Sequence, residues 1–273
     1  MQSISFSGLG LRTKNEDYHY TNDNLYIVCD GVGGSPYGEV ASKLACSTIS
    51  DFFASNPFTA FDFEYFQKAL QYSIEKFKET EAKYPEMKGM STTVVLIAFD
   101  IEGAIIAWLG DSRLYHIRPN KSGAKILFKT EDHSLINDLR KQGTPSEGYL
   151  KQIRNYFAKH PFNYINKIIR SLFLASGKLH KEKRLYPEIR NYITKALSAS
   201  CRDKFSLHRI MTSEIHNEDF LFLCTDGVLE NITEAKIQQL FSTQLGMEEI
   251  KFKILNECES KTNDNFTFQL IKV

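Results

Sequence analysis

Six carboxylates of this 273-residue chain lie where apolar runs give out or within glycine turns: Glu16 and Asp17 in RTKNED, Asp30 in VCDGVGG, Asp111 in LGDSR, Asp226 in CTDGV and Asp264 in NDNFT. Asp30 follows an apolar run directly, and Asp111 and Asp226 follow one after a single intervening residue. A charge held at the edge of the interior costs several kcal/mol unless it is paired, and hard divalent cations supply that pairing through oxygen ligands. With no metal-spaced histidine or thiolate beside them, such carboxylates point to Mg²⁺ or Mn²⁺ rather than zinc or copper. Each motif alone also has a plainer reading. Asp-Gly is a common turn, Asp111 could pair with Arg113, and Glu16 could be a solvated surface charge.

Several elements must position these groups. Leu25 to Cys29, Thr92 to Phe99, Ala104 to Leu109, Phe220 to Cys224 and Phe266 to Val273 are short apolar runs bounded by turn residues and read as buried strands. Ala41, Leu44, Ala45, Thr48, Ile49 and Phe52 recur at helical spacing, as do Phe66, Leu70, Ile74 and Phe77, which predicts two amphipathic helices between the first two strands. Asp100-Ile101-Glu102-Gly103 reads as a hairpin turn, and further helices are expected at about 234–241 and 247–257. Strands and helices do not alternate steadily, so the pattern favours α+β over a doubly wound parallel sheet.

Hydrophobic residues make up 42% and charged residues 25%, values of a folded globular chain. The formal net charge of +1 gives no global attraction for nucleic acid or an anionic membrane. No apolar run approaches the length of a membrane span and the start lacks a secretory pattern, so a cytoplasmic protein is expected. The five cysteines are scattered and never in a CxxC pair, which argues against a disulfide framework or a zinc site; Cys29 and Cys224 read as small core hydrophobes.

Residues 144–186 stand apart in composition, with nine Lys or Arg against Glu147 and Glu182, a net +7 that leaves −6 for the rest of the chain. Leu150, Ile153 and Phe157 precede Pro161, and Ile165, Ile168, Ile169 and Leu172 follow it, a pattern of two short amphipathic helices. The economical organisation is one domain, 1–273, carrying this segment as an insertion.

Taken in order, the motifs resemble the metal-dependent serine/threonine protein phosphatases of the 2C type in their compact bacterial form. The likeness runs from end to end through Arg12 to Asp17, DGVGG at 30–34, STTVV at 91–95, GDSRLY at 110–115, EDHS at 131–134, TDGV at 225–228 and Asp264-Asn265. The resemblance implies a four-layer α/β/β/α sandwich with two central antiparallel sheets and a binuclear Mn²⁺ or Mg²⁺ centre at one end. It further implies that Asp30 bridges both metals, Glu16 holds one directly or through water, and Asp226 and Asp264 hold the other. The carbonyl of Gly31 adds a ligand, Asp17 stands behind the ligands, and Asp111 with Asp226 forms a weaker third site or serves proton transfer. Arg12 grips the substrate phosphate, for which its planar fork is suited. The partners implied are phosphoproteins modified by a cognate serine/threonine kinase.

The chain departs from the family pattern at a few positions. Val32 stands where animal members carry a histidine proposed as the acid, Ser91 stands in place of a usual glycine, and Tyr186-Pro187 replaces a frequent His-Pro ahead of Arg190-Asn191. His133 reads as a turn or capping residue rather than a catalytic one. The insertion from Thr144 to Tyr186 falls at the family's flap, where its charge could steer an acidic substrate or partner, or simply keep a helical hairpin soluble. Two competing readings are a non-catalytic or gated phosphoprotein-binding relative of the same fold, and a nucleotide-binding glycine loop at DGVGGSPYGEV, which lacks both the P-loop ending and the GxGxxG spacing.

Overall fold

The computed structural model describes residues 1–56, 62–134, 137–138, 141, 193–242 and 245–273. The insertion at 144–186, its two expected helices, Tyr186-Pro187 and Arg190-Asn191 lie outside the described residues. The chain divides into two compact units, Met1–Asp132 with Lys195–Val273, and His133–Thr194. In the second, Ser134 and Ile193 form an antiparallel bridge, and the Thr194 N–H donates to the carbonyl of His133 at 2.8 Å.

The first unit runs β1 (Gln2–Gly8), β2 (Asp17–Thr21), β3 (Leu25–Asp30), α1 (Gly38–Ser55), α2 (Phe63–Lys83), β4 (Ser91–Thr92), β5 (Val94–Asp100), β6 (Gly103–Leu109), β7 (Arg113–Asn120) and β8 (Gly123–Lys129). It continues with β9 (Leu197–Ser198), β10 (Ser206–Met211), β11 (Phe220–Cys224), α3 (Asp226–Asn231), α4 (Glu234–Leu240), α5 (Met247–Cys258) and β12 (Phe266–Lys272). Two five-stranded sheets form, in the orders β1-β12-β11-β7-β8 and β10-β6-β5-β3-β2, with every described pair antiparallel.

Strand periodicity builds the layers, because successive side chains point to opposite faces. On β3, Leu25, Ile27 and Cys29 pack with Ile49, Phe66, Leu70 and Phe77 of α1 and α2. Tyr26 and Val28 instead meet Leu221, Leu223 and Ile271 of the other sheet. On β11, Phe220, Phe222 and Cys224 turn outward onto Val228, Ile237 and Ile254 of α3, α4 and α5. The result is the α/β/β/α sandwich, with one core between the sheets and one beneath each helical layer.

The hairpin expected at Asp100–Gly103 forms, with Asp100 Oδ1 accepting from the Glu102 and Gly103 amides at 2.7 and 3.1 Å. The run from Thr92 to Phe99 is broken at Thr93 rather than continuous, because Thr92 and Thr93 turn their hydrogen bonds to Asp30. Strands β1, β2, β7, β8 and β10 carry alternating or polar residues and formed no apolar run to find.

One polar network lies within the apolar interior. Asp219, fully buried just ahead of β11, accepts from Arg118 Nε and Nη2 at 2.8 Å each, from the His216 amide at 3.0 Å, and pairs with His116 Nε2 at 2.8 Å. Burial alone would push its carboxyl up, but the bonds from Arg118, the His216 amide and His116 outweigh that and hold it below its usual range. Asp219→Ala is expected to cost about 3 kcal/mol in urea unfolding, at the low end for a broken buried pair because Arg118 can reach water. A loss under about 1 kcal/mol would show that the network adds little to stability.

Candidate metal centre

Register brings the carboxylates to one end of both sheets. In one sheet Asp17 of β2 is the Cα partner of Asp30 of β3, Val28 pairs with Val95, and Val94 with Leu109. In the other, Cys224 pairs with both Arg113 and Phe268, and Gly8 with Phe266. The link from β6 to β7 crosses between the sheets at this same end and carries Asp111. Glu16 and Asp17 thus enter β2, Asp30 ends β3, Asp226 follows β11 and Asp264 precedes β12, all around one rim.

Their charges feel one another. Burial, then the charges of Asp17, Asp226, Asp111 and Asp264, push the Asp30 carboxyl well above the carboxylate range. Burial chiefly, with Asp226 adding, raises Asp17 to about 7 and Asp111 to about 8. Asp226 rises to about 6 through burial and then Asp264, and Glu16 rises through burial and then Glu39. So many like charges at one partly dry rim cannot all ionise without a counter-charge.

A divalent cation fits this set. The donors are carboxylate and carbonyl oxygens, the chemistry of Mg²⁺ and Mn²⁺, and Asp17 Oδ1 is a buried acceptor with no hydrogen-bond partner. Among the described residues no three His, Cys, Asp or Glu side chains already converge into a finished ligand cage. The structure brings these carboxylates to one rim without showing a coordination sphere.

Groups that the sequence reading gave no role hold these carboxylates in place. The Asp30 carbonyl accepts from Thr92 Oγ1 at 2.7 Å and from the Thr93 amide at 2.8 Å, while its own amide donates to Thr93 Oγ1 at 3.1 Å. Thr93 Oγ1 also bonds Ser112 Oγ at 2.7 Å, which joins the Asp30 and Asp111 segments. Thr225 Oγ1 donates to Asp17 Oδ2 at 2.9 Å. Asn265 Oδ1 accepts from the Glu16 amide at 2.8 Å, and its Nδ2 donates to the carbonyls of Leu9 and Lys14 at 3.1 and 2.9 Å. The motifs at 91–95, 110–115, 225–228 and 264–265 contain them, but nothing local in the sequence gives their partners.

Two Asp-Gly pairs are more than turns. A Cβ on Gly227 would lie 1.9 Å from the Asn265 carbonyl oxygen, and one on Gly31 would lie 2.6 Å from the Gly38 backbone. Only glycine lets the start of α3 approach the segment that carries Asp264, or the end of β3 approach the start of α1.

Arg12 Nη2 donates to Asp264 Oδ2 at 2.9 Å, both side chains being open to water, so the expected phosphate grip sits beside an expected metal ligand. Arg113 binds Asp132 through Nε and Nη2 at 2.6 Å each, and it does not neutralise Asp111 through that fork. Ser91, in place of the usual glycine, bonds Ser35 Oγ at 2.6 Å and ties the glycine loop to β4. That loop spends its Val32 and Ser35 amides on Ser91 and Val32 carbonyls, which weakens it as a phosphate cradle for a nucleotide. Cys29 and Cys46 are buried with sulfurs 3.4 Å apart, and burial pushes the Cys29 thiol well up, as suits a core residue.

A family model described as Protein phosphatase 2C matches residues 12–259. The Serine/threonine phosphatase stp of Listeria monocytogenes is 24% identical over 274 residues, 96% of this chain and 91% of its own. Among solved structures, Serine/threonine phosphatase Stp1 from Staphylococcus aureus superposes with a TM-score of 0.73 at 23% identity, covering 100% of this chain and 94% of that one. The catalytic domain of the serine threonine protein phosphatase PstP, in complex with 2 manganese ions, gives 0.70 at 20% identity over 98% and 96% of the two chains. With the motifs in order, the carboxylates on one rim and the family match spanning most of its length, this chain belongs to the protein phosphatase 2C family.

Proposed function

We propose that this chain hydrolyses phosphoserine and phosphothreonine in proteins, using two Mn²⁺ or Mg²⁺ ions held by Glu16, Asp30, the Gly31 carbonyl, Asp226 and Asp264. The observation that carries the reading is the mutual charge of Asp30 with Asp17, Asp226, Asp111 and Asp264. The manganese ions of PstP support the choice of metal. When bound, such cations supply a nucleophilic water at neutral pH and neutralise charge on the phosphoryl oxygens.

The protein's own groups do the rest. The hydrogen bond from Thr225 fixes Asp17, which we place behind the ligands. The exposed Arg12–Asp264 pair is worth no more than about 1 kcal/mol, so Arg12 can exchange it for a doubly charged phosphate. With Val32 in place of a histidine, we assign Asp111 to a third cation or to handling the proton for the departing alkoxide. The runner-up, a purely binding relative, gains no support from a rim that keeps all of its carboxylates.

The same reading takes 1–273 as one catalytic domain with a basic insertion from Thr144 to Tyr186 that acts on substrate access or meets an acidic partner. It places the protein in the cytoplasm against the products of a cognate kinase; among the described residues no helix is long and apolar enough to cross a membrane. The test is phosphate release from phosphothreonine and phosphotyrosine peptides with Mn²⁺, Mg²⁺ or chelator. Metal-dependent release from phosphothreonine is the expected result. Folded, metal-loaded protein that releases nothing would instead favour the binding relative.

A further inference from the structure

Three large apolar side chains stand open to solvent on segments attached to the carboxylate rim. Leu9 and Leu11 are 46% and 61% exposed on either side of Gly10, immediately before Arg12, and Tyr37 is 38% exposed at the start of α1. The backbone carrying the leucines is firmly held. Arg12 N–H closes a turn on the Leu9 carbonyl at 3.1 Å, Leu11 N–H donates to Thr262 at 3.0 Å, and Asn265 Nδ2 bonds the Leu9 carbonyl. Gly10, at φ 57°, lies so close to the Asp264 carbonyl that a Cβ would fall 2.1 Å from it.

Tyr37 adjoins a different part of the rim. Its neighbour Gly38 packs on the Gly31 backbone, and a Cβ there would lie 3.0 Å from Glu16 Cδ. Among the described residues only Tyr37 and Ser260 are non-glycine residues with left-handed backbone, at φ 54° and 59°. A bulky residue is disfavoured in that conformation, and such positions gather where a function repays the strain. Glycine would fit the backbone better, yet the chain places an aromatic ring there.

We propose that Leu9, Leu11 and Tyr37 recognise apolar residues that flank the phosphorylated residue of a substrate chain. The proposal rests on the reading of Arg12 as the phosphate grip and deepens it. Exposed leucines gain the fold little, but on a backbone already held by hydrogen bonds the segment loses little freedom when a ligand covers it. Adjacent to a guanidinium, they match a ligand that presents a phosphate dianion with apolar side chains beside it. An acidic or strongly polar flank would leave them uncovered.

The experiment compares phosphothreonine peptides whose neighbouring residues on both sides are leucine or serine, on wild-type protein, on the double variant Leu9→Ser with Leu11→Ser, and on Tyr37→Gly. Wild-type kcat/KM is expected to favour the leucine peptide about tenfold, the worth of one buried apolar side chain. Each variant should shrink that ratio, because the ratio cancels any general loss of activity. Tyr37→Gly should do so with an unchanged or higher Tm, since glycine accepts the left-handed backbone, and this separates recognition from damage to the fold. A wild-type ratio near one, or a ratio that survives both variants, overturns the proposal. Wild-type turnover of p-nitrophenyl phosphate with Mn²⁺ reports on the phosphatase reading by itself. Turnover of that ester without flank preference removes only the present inference, and no turnover of any ester removes both.

Discussion

Asp226→Asn is expected to lower Mn²⁺-dependent phosphate release by about a thousandfold or more while making the chelator-treated protein more stable than wild type. The two effects share one cause. Burial and the charge of Asp264 raise the Asp226 carboxyl from the usual carboxylate range to about 6, so its ionisation strains the metal-free fold. An acid whose folded pKa lies above its unfolded value destabilises the fold once pH has risen through the folded value. Two units correspond to about 3 kcal/mol at pH 7, and partial exposure of Asp226 trims this to about 1–2 kcal/mol, or roughly 3–6 °C in Tm.

The sign should reverse when Mn²⁺ is present, because wild type binds the cation to its folded form and the variant binds it less well. Thermal melts of both proteins in chelator and in Mn²⁺ make the comparison. A variant less stable than wild type in both would mean that Asp226 is a structural hydrogen-bonding residue and that its charge is no burden. A variant that keeps wild-type turnover would remove Asp226 from the metal-binding set altogether.

The sequence exposed the chemical groups better than it exposed their fastening. Asp30 and Asp226 were legible because each ends a continuous apolar run, and the helices of α1 and α2 because their apolar residues keep helical spacing. Strands such as β2 and β10 were not, since DYHYT and SLHRIM alternate in polarity and lie at sheet edges where one face meets water. Asn265 could be quoted as part of a motif, yet its bonds to Glu16, Leu9 and Lys14 join positions some 250 residues apart, which no local pattern encodes. The same holds for Thr225 on Asp17 and for Arg12 on Asp264. Ser91 shows the converse: a departure from the family pattern without evident consequence acquires one when Ser35 is found opposite it.

In chelator, the wild-type protein is expected to lose stability as pH rises from about 6.5 to 8. Burial raises Asp17 to about 7 and Asp111 to about 8, with Asp226 adding to both, so the fold keeps protons that the unfolded chain has released above about pH 4. The native state then binds more protons than the unfolded one, and the linkage slope is negative, near 1.4 kcal/mol per pH unit for each group still held protonated. The decline should continue above pH 8, since Asp111 is then only half ionised and Asp30 is pushed well above the carboxylate range. His19 and His208, lowered by burial, act in the opposite direction but only below their usual titration near 6.5, and Asp219 is held below the usual carboxylate range by Arg118, the His216 amide and His116. The window from 6.5 to 8 therefore isolates the acidic rim. Mn²⁺ competes with those same protons, so its stabilisation should grow over that interval and offset the loss. Urea unfolding at half-unit steps of pH, with and without Mn²⁺, reads both curves. Metal-free stability that stays level or rises across the window would mean the carboxylates ionise independently, and the charge crowding on which the metal centre is argued would be absent.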